Sequence, residues 1–364
     1  MKKNYSSRAV PAQTLKKGIK NASLLFLLFI VSVAHTNAQL LPTTCYVNIP
    51  DANFKNYLIN NTAINTNYDT KISYNEAAAF TGTMYVSSKD IADLTGIEAF
   101  VNITGLECSN NALTSLDISA NTALTRLNCN FNALLTSLDV SANTALTRLQ
   151  CYDNALTNLD VSANTALTSL YCNNNALTSL DVSANTALTN LKCYNNALTS
   201  LDISANTALI FLWCHYNALI SLDVSNNTTL SDLNCRYNAL TSLDVSANSL
   251  TWLNCGDNAL TSLNMTNNGN NTNFLYEFGA RNNPNLSCIQ VDDVAYSNTY
   301  WANYIDDTAS FSTDCSPIVY IPDANFKNAL LSNTSINTDN DTEISYNEAV
   351  AFTGTMDVSF NNIA

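Results

Sequence analysis

The chain has 364 residues, of which 29 are acidic and 15 are basic, and its formal net charge is −14. A protein this acidic is repelled by nucleic acid and by anionic lipid, so the charge excludes both as partners. Acidity of this degree also favours solubility outside a cell.

Residues 1–38 have the layout of a secretory signal. Basic residues precede a short apolar run from Ala22 to Ala34, and Thr36-Asn37-Ala38 resembles a small-residue cleavage site. The run is too short to span a bilayer comfortably, so we expect cleavage rather than a membrane anchor, with no membrane insertion afterwards. Cleavage removes six basic residues and no acidic one, which changes the charge to −20. These features predict a protein that is secreted or held at the outer cell surface.

Residues 39–82 are expected to form a small helical cap over the N-terminal end of the segment that follows. Phe54, Tyr57 and Leu58 share one face of a predicted helix, which gives this cap an apolar side.

The loop after that helix has oxygen-bearing residues at alternate positions, namely Asn65, Asn67 and Asp69, and it ends at Glu76. This pattern resembles an EF-hand loop, and the resemblance implies a calcium site. The loop departs from the EF-hand pattern because Asn65 replaces the first Asp and Thr70 replaces the usual Gly. Glu76 also lies three residues after a Ser, the spacing of a capping box that starts a helix without any metal. Both interpretations stay open.

A phrase of 21 residues recurs through residues 83–266. Each unit has two halves, Leu-x-x-Leu-x-Cys-x-x-Asn and Leu-x-x-Leu-Asp-Val-x-x-Asn. One such unit cannot bury its apolar face alone, so the period predicts a solenoid. The recurring cysteines are Cys108, Cys129, Cys151, Cys172, Cys193, Cys214, Cys235 and Cys255.

The Leu-x-Cys and Leu-x-Val pieces alternate like strands, and each half is too short for a typical helix. The repeated motif resembles the leucine-rich repeat with Cys in place of the third Leu, and the doubled unit resembles the short 21-residue bacterial subclass. The resemblance implies a mainly β fold, a parallel β-solenoid with short strands on two sides. The predicted core of one unit is Leu167, Leu170, Cys172, Leu177, Leu180, Val182 and Leu188.

The repeated cysteines are interpreted as stacked core thiols, because cysteine is small, apolar and often buried. Stacked parallel side chains neither reach each other for relaxed disulfides nor converge on a metal ion. Outside this ladder we expect a Cys288–Cys315 disulfide within a C-terminal cap over residues 267–317, with Cys45 unpaired. The asparagine that follows each strand is expected to satisfy backbone groups in the turns.

Residues 318–364 form an incomplete second copy of the N-terminal cap. Residues 321–364 repeat residues 49–92 without gaps, at an offset of 272. The candidate calcium ligands of the second loop are Asp339, Asp341 and Glu348. A cap with nothing to cover leads us to expect that the sequence is part of a longer protein.

The two halves of the repeat vary unequally, which points to one face as the binding surface. The Leu-Asp-Val half hardly changes, and its stacked aspartates form either a solvated face or a stripe for calcium or a basic partner. The Cys half varies and carries aromatic and basic residues typical of interfaces, unless this variation is repeat drift. The predicted ligand-binding residues are Tyr171, Lys192, Tyr194, Phe211, Trp213, His215, Tyr216, Arg236, Tyr237 and Trp252.

No catalytic constellation is visible, and the mature chain has one histidine, His215, at a variable position. We therefore predict a protein that is not an enzyme and requires no cofactor, with calcium the one ion that the cap loops suggest. The leading hypothesis is a secreted or cell-surface binding module that recognises a protein or polysaccharide through the variable face. The alternative is a structural spacer of a large surface adhesin, or the non-catalytic arm of a longer secreted enzyme.

Overall fold

The computed structural model describes residues 45–266, 277–339 and 342–358. The signal-like residues 1–38 and the candidate ligand Asp341 lie outside these ranges. In the described ranges the chain winds into a parallel β-solenoid, mainly β with a few short helices, as the repeat predicts. No helix in these ranges is both long and apolar enough to cross a bilayer.

One side of the solenoid is a parallel sheet with ten described strands. Each coil contributes one short strand, and the leucine at its centre lies beside the equivalent leucine of the next coil, as in Leu149 and Leu170. These strands are β1 (Gly82–Tyr85), β2 (Ile103–Glu107), β3 (Arg126–Asn128), β4 (Arg148–Gln150), β5 (Ser169–Tyr171), β6 (Asn190–Lys192), β7 (Phe211–Trp213), β8 (Asp232–Asn234), β10 (Trp252–Asn254) and β12 (Glu277–Gly279).

The other side has regular strands only towards the C-terminal end, where β9 (Ser242–Asp244), β11 (Ser262–Asn264), β13 (Cys288–Gln290) and β14 (Ser310–Ser312) pair in parallel. In earlier coils the Leu-Asp-Val segment forms local turns instead, in which Asp181 Oδ1 accepts a hydrogen bond from Ser183 N at 2.9 Å. Strands on two sides are therefore present, but the second side is not regular throughout.

The parallel strand pairing continues after Thr266, into the predicted C-terminal cap. The predicted Cys288–Cys315 disulfide is confirmed, and it joins β13 to the segment after β14.

The core lies between the two sides and has the predicted composition. Leu170, Cys172 and Val182 are 0% exposed, and Leu180 is 8% exposed. Each buried aliphatic side chain contributes roughly 1.5–3 kcal/mol before conformational entropy is subtracted. Since equivalent residues of neighbouring coils touch, this burial holds the coils to each other as well as closing each one.

The eight ladder cysteines are buried free thiols, which confirms their assignment to the core. Burial raises the pKa of Cys129, Cys172, Cys214 and Cys255 to about 12. Because the thiolate is the reactive form, these side chains behave as small apolar groups rather than as nucleophiles or metal ligands.

Asparagine side chains join successive coils at the turn that follows each strand. Asn175 Nδ2 donates to the carbonyl oxygens of Cys151 at 3.0 Å and Cys172 at 3.1 Å, and its Oδ1 accepts from Leu156 N at 3.0 Å. On the other half of the coil, Asn185 Nδ2 donates to the carbonyl oxygens of Val161 and Asn164. These amides satisfy turn backbone that the strand ladder does not reach.

The N-terminal cap consists of helices α1 (Ala52–Asn60) and α2 (Tyr74–Ala79). Asp51 caps the start of α1 by accepting a hydrogen bond from Phe54 N at 2.8 Å. Phe54 and Leu58 are fully buried and belong to the same core as the coils, so the cap closes the open end of the solenoid.

The second cap copy has the same local structure and a separate small core. Helix α3 (Val294–Tyr300) precedes this copy, which contains α4 (Ala324–Leu331) and α5 (Tyr346–Ala351). Its buried cluster consists of Leu330, Ile336 and Ile344. Met84 of the first copy is 0% exposed whereas Met356 at the equivalent position is 43% exposed, so in the described residues only the first copy is seated on a coil.

Leu180→Asp should lower the free energy of unfolding by about 3 kcal/mol or more, because it places an unpaired carboxylate in an apolar interior. Urea unfolding followed by circular dichroism measures the change. Ser179→Asp, one residue away and exposed, is the matched control and should be nearly neutral. Equal stability of the two variants would contradict the assigned inward face.

Ellman's reagent should label Cys45 of the native protein quickly, because this thiol is free and only partly buried. The ladder thiols should react only after unfolding, since they are inaccessible and protonated. Cys45→Ser should abolish the fast phase, and rapid native labelling that survives this substitution would contradict the buried ladder.

Candidate binding surface on the ten-stranded sheet

The three-residue strands create regular columns of side chains on the outer face of the ten-stranded sheet. In each strand the central leucine points inwards and its two neighbours point outwards, as the burial of β5 to β7 shows. A third and a fourth column follow each ladder cysteine. All of the predicted ligand-binding residues lie in these columns: Phe211 and Trp252 before the leucine, Tyr171, Lys192 and Trp213 after it, and Tyr194, His215, Arg236, Tyr216 and Tyr237 after the cysteine.

Five of these side chains form a continuous set of ring contacts, which we call the aromatic row: Tyr194, Trp213, His215, Tyr216 and Tyr237. Tyr194 stacks on His215 with ring centroids 4.3 Å apart, and Tyr216 stacks on Tyr237 at the same separation. His215 meets Tyr216 edge-on at 5.6 Å, which joins the two stacks. Coils about 4.8 Å apart place such rings at stacking distance.

Two cations lie against the rings of the aromatic row. Lys192 Nζ is 3.9 Å from the centroid of the Trp213 ring, and the Arg236 guanidinium is 5.5 Å from both Tyr216 and Tyr237. Contacts of this kind contribute roughly 0.5–2 kcal/mol. Since ring stacking and these cations cover many of the ring faces, the row presents much of its surface as ring edges, hydroxyl groups and cationic tips.

The backbone of the aromatic row is strained at two positions. Tyr216 and Tyr237 have φ angles of 53° and 52°, in the left-handed region that side chains other than Gly, Asn and Asp rarely adopt. Most other coils place Asn or Asp at this position, namely Asn110, Asp153, Asn174, Asn195 and Asp257, and Phe131 is a further aromatic exception. An aromatic residue here costs more than the usual Asn, so the two tyrosines are candidates for a functional role.

Acidic residues that were not among the sequence-predicted ligands orient the tryptophans. Trp213 Nε1 donates to Asp232 at 2.8 Å, and Trp252 Nε1 donates to Glu277 at 2.8 Å. Burial raises the pKa of Asp232, although the hydrogen bond from Trp213 and the charge of Lys192 lower it. Each acid lies on the coil that follows its tryptophan. Aligning the repeats in the sequence could therefore have identified these hydrogen-bond partners.

His215 is neutral at physiological pH. Its side chain is 8% exposed, and burial lowers its pKa to about 4, with further lowering by Arg236 and Lys192. Among the described residues its Nδ1 atom has no hydrogen-bond partner. The environment therefore suits a ring that packs between Tyr194 and Tyr216, and it does not suit a general base at neutral pH.

The EF-hand-like loop of the first cap is held by its own donors. Glu76 accepts hydrogen bonds from Thr66 N at 2.9 Å, Ser73 N at 2.9 Å and Ser73 Oγ at 2.8 Å, the last two as part of a capping box. Burial raises the pKa of Glu76, but these hydrogen bonds outweigh it and lower the pKa overall. Asn67 Nδ2 donates to Asp69.

The second loop repeats this arrangement, since Glu348 accepts from Thr338 N at 2.7 Å and Ser345 N at 3.0 Å. The first loop also has one free acceptor, because Asn65 Oδ1 is buried without a partner among the described residues. No group of three or more His, Cys, Asp or Glu side chains in the described ranges is arranged to hold a metal ion. In the first loop, a calcium ion would have to compete with the donors that hold Glu76.

Calorimetric titration with calcium should therefore give no saturable heat. Glu76→Gln should lower stability equally in calcium and in EDTA, by about 1–3 kcal/mol, because it weakens charge-assisted hydrogen bonds. The contribution of Glu76 should be present above its unfolded pKa and be lost as pH falls through its lower folded pKa. A saturable heat that Asp69→Ala/Glu76→Ala removes would contradict this prediction.

The fold agrees with that of known leucine-rich-repeat proteins. Internalin C2 of Listeria monocytogenes superposes with a TM-score of 0.52 at 17% identity, covering 65% of this chain and 99% of that one. A leucine-rich-repeat protein of Leptospira interrogans superposes at 0.45, with 17% identity and coverage of 65% and 72%. The functional domain of the internalin InlJ from Listeria monocytogenes, described as including a cysteine ladder, gives 0.38, with 24% identity and coverage of 69% and 79%. No protein-family model and no curated protein matches the sequence. This chain thus has the leucine-rich-repeat solenoid fold.

Proposed function

We propose that this chain is a binding module, secreted or held at a cell surface, that recognises a protein partner through the aromatic row. The observation that carries the proposal is the strained placement of Tyr216 and Tyr237 where most other coils have Asn or Asp. Natural sequences keep a locally unfavourable residue where function requires it. Tyr, Trp and Arg are also the residue types that most often anchor protein interfaces.

The orientation of the rings favours a protein over a polysaccharide. Sugars stack on exposed aromatic faces, but Tyr194 and His215 cover each other, as do Tyr216 and Tyr237. Lys192 covers one face of Trp213. The exposed edges and hydroxyl groups suit the mixture of apolar contact and hydrogen bonding that protein interfaces use.

Location outside the cytoplasm has two supports in the chain. The first residues resemble a secretory signal, and Cys288 is bonded to Cys315. Disulfides persist in oxidising compartments and are rare in the cytosol. The buried ladder thiols are compatible with such a compartment because oxidants do not reach them.

The second candidate function is that of a structural spacer. A spacer does not require a particular set of side chains on one face of the solenoid. The nearly constant Leu-Asp-Val half of the repeat fits that role, because its exposed aspartates keep the side soluble and resist association between copies. The aromatic row has no place in a spacer, so its removal separates the two functions.

The triple variant Trp213→Ala/Tyr216→Ala/Tyr237→Ala should weaken binding to arrays of immobilised extracellular proteins by about tenfold or more, because buried aromatic anchors carry a large share of binding free energy. The control Tyr85→Ala/Tyr304→Ala removes exposed tyrosines away from the row and should bind normally. Glycan arrays are probed in parallel.

Protein binding that is unchanged in the triple variant would contradict the proposal and favour the spacer. If the triple variant loses binding to glycans but not to proteins, the surface would be assigned to a polysaccharide. Thermal unfolding of both variants checks that the solenoid remains intact.

A further inference from the structure

In the coils between residues 93 and 266, the basic residues are confined to one side. Between residues 93 and 266 they are Arg126, Arg148, Lys192 and Arg236, and all of them lie on or next to the ten-stranded sheet. The opposite side carries the repeated aspartates and no basic residue in this range. A chain with 29 acidic residues therefore places these cations away from its main acidic stripe.

Neither Lys192 nor Arg236 forms a close ion pair among the described residues, although the charge of Asp232 acts on Lys192. The ion pair found among the described residues joins Lys327 to Glu343, and neither Lys192 nor Arg236 donates a hydrogen bond to a described residue. Among the described residues, Arg236 Nε and His215 Nδ1 are buried without a hydrogen-bond partner. Because a buried atom is out of a ligand's reach, a ligand would contact Arg236 through the part of its half-buried side chain that remains accessible.

Aromatic rings hold the two cations in place, and Asp232 offsets part of the charge of Lys192. Aromatic rings lie against Lys192 and Arg236, and a ring covers one side of a cation while leaving its other side open. His215 lies on the coil between them and is kept neutral by burial and by their charges. Asp232 is the nearby acid, and its carboxylate also accepts the Trp213 N–H.

We infer that Lys192 and Arg236 form an anion-binding site within the aromatic row, and that its ligand is an acidic segment of the partner protein that places carboxylates on these two cations. This inference rests on the proposed function and adds the chemistry of the partner. Charge complementarity supports it, because carboxylates form charge-assisted hydrogen bonds with guanidinium and ammonium groups. Sulfated polysaccharide carries the same charge, but the covered ring faces favour protein.

The test measures binding of hexaglutamate to the full chain by Trp fluorescence, with hexalysine as the charge control and dextran sulfate as the polysaccharide arm. Lys192→Gln and Arg236→Gln should each weaken hexaglutamate binding by about tenfold, and Arg236→Lys should recover only part of the loss because it lacks the planar fork. Arg126→Gln is the matched control. Arg126 lies several coils away, where it donates to Thr83 Oγ1, and its replacement should change affinity less than about twofold.

His215 provides a second readout, since it is the one histidine of the chain after residue 38. A bound anion offsets the charges of Lys192 and Arg236, so hexaglutamate should move the NMR titration midpoint of His215 upward from about 4. Arg236→Gln should also raise the midpoint of the free protein, and the further rise on adding hexaglutamate should be smaller.

Equal hexaglutamate affinity of the Arg236→Gln and Arg126→Gln variants would overturn the inference, as would an unchanged His215 midpoint at saturation. Tighter binding of dextran sulfate with the same residue dependence would assign the site to polysaccharide instead. If Trp213→Ala/Tyr216→Ala/Tyr237→Ala abolishes protein binding while Lys192→Gln and Arg236→Gln do not, the binding module stands and the anion site falls.

Discussion

The solenoid depends on the asparagine amide that joins one coil to the next. A coil that turns after three strand residues leaves carbonyl and amide groups in its interior, beyond the reach of the strand ladder. Asn175 meets this need from one position, because it donates to the carbonyl oxygens of two successive coils and accepts from Leu156 N of the earlier coil. With the turns satisfied, apolar burial is sufficient to hold the stack together.

This arrangement divides the residues of each coil into two groups under different constraints. The inward leucines, cysteines and ladder asparagines are required in every coil, whereas the outward columns of the ten-stranded sheet are free to change. Columns of neighbouring coils lie close enough for rings to stack, so a few substitutions in adjacent repeats produce an extended surface. The aromatic row is such a surface, and it needs no cavity.

Charge is also distributed unequally between the two sides of the solenoid. The conserved half of the repeat supplies exposed aspartates that keep one side solvated, and their carboxylates cap the following turn, as Asp181 does for Ser183. The cations are reserved for the variable side, where aromatic rings hold them and leave their outward atoms open. A protein that is acidic as a whole thus carries the basic residues of these coils on one side.

The repeat by itself determined the fold, the inward set of leucines and the buried ladder of cysteines, because alternation and period report directly on which side chains point inwards. It also placed Cys288 opposite Cys315 and placed the variable residues on one face. The tertiary structure decided what periodicity cannot encode. The stacking of Tyr216 on Tyr237, the ring contacts of Lys192 and Arg236, and the turns that replace strands on the second side depend on side-chain directions and on register between coils. Glu76 shows the same limit, since one sequence pattern suits both a calcium loop and a capping box, and the choice between them lies in which donors surround the carboxylate.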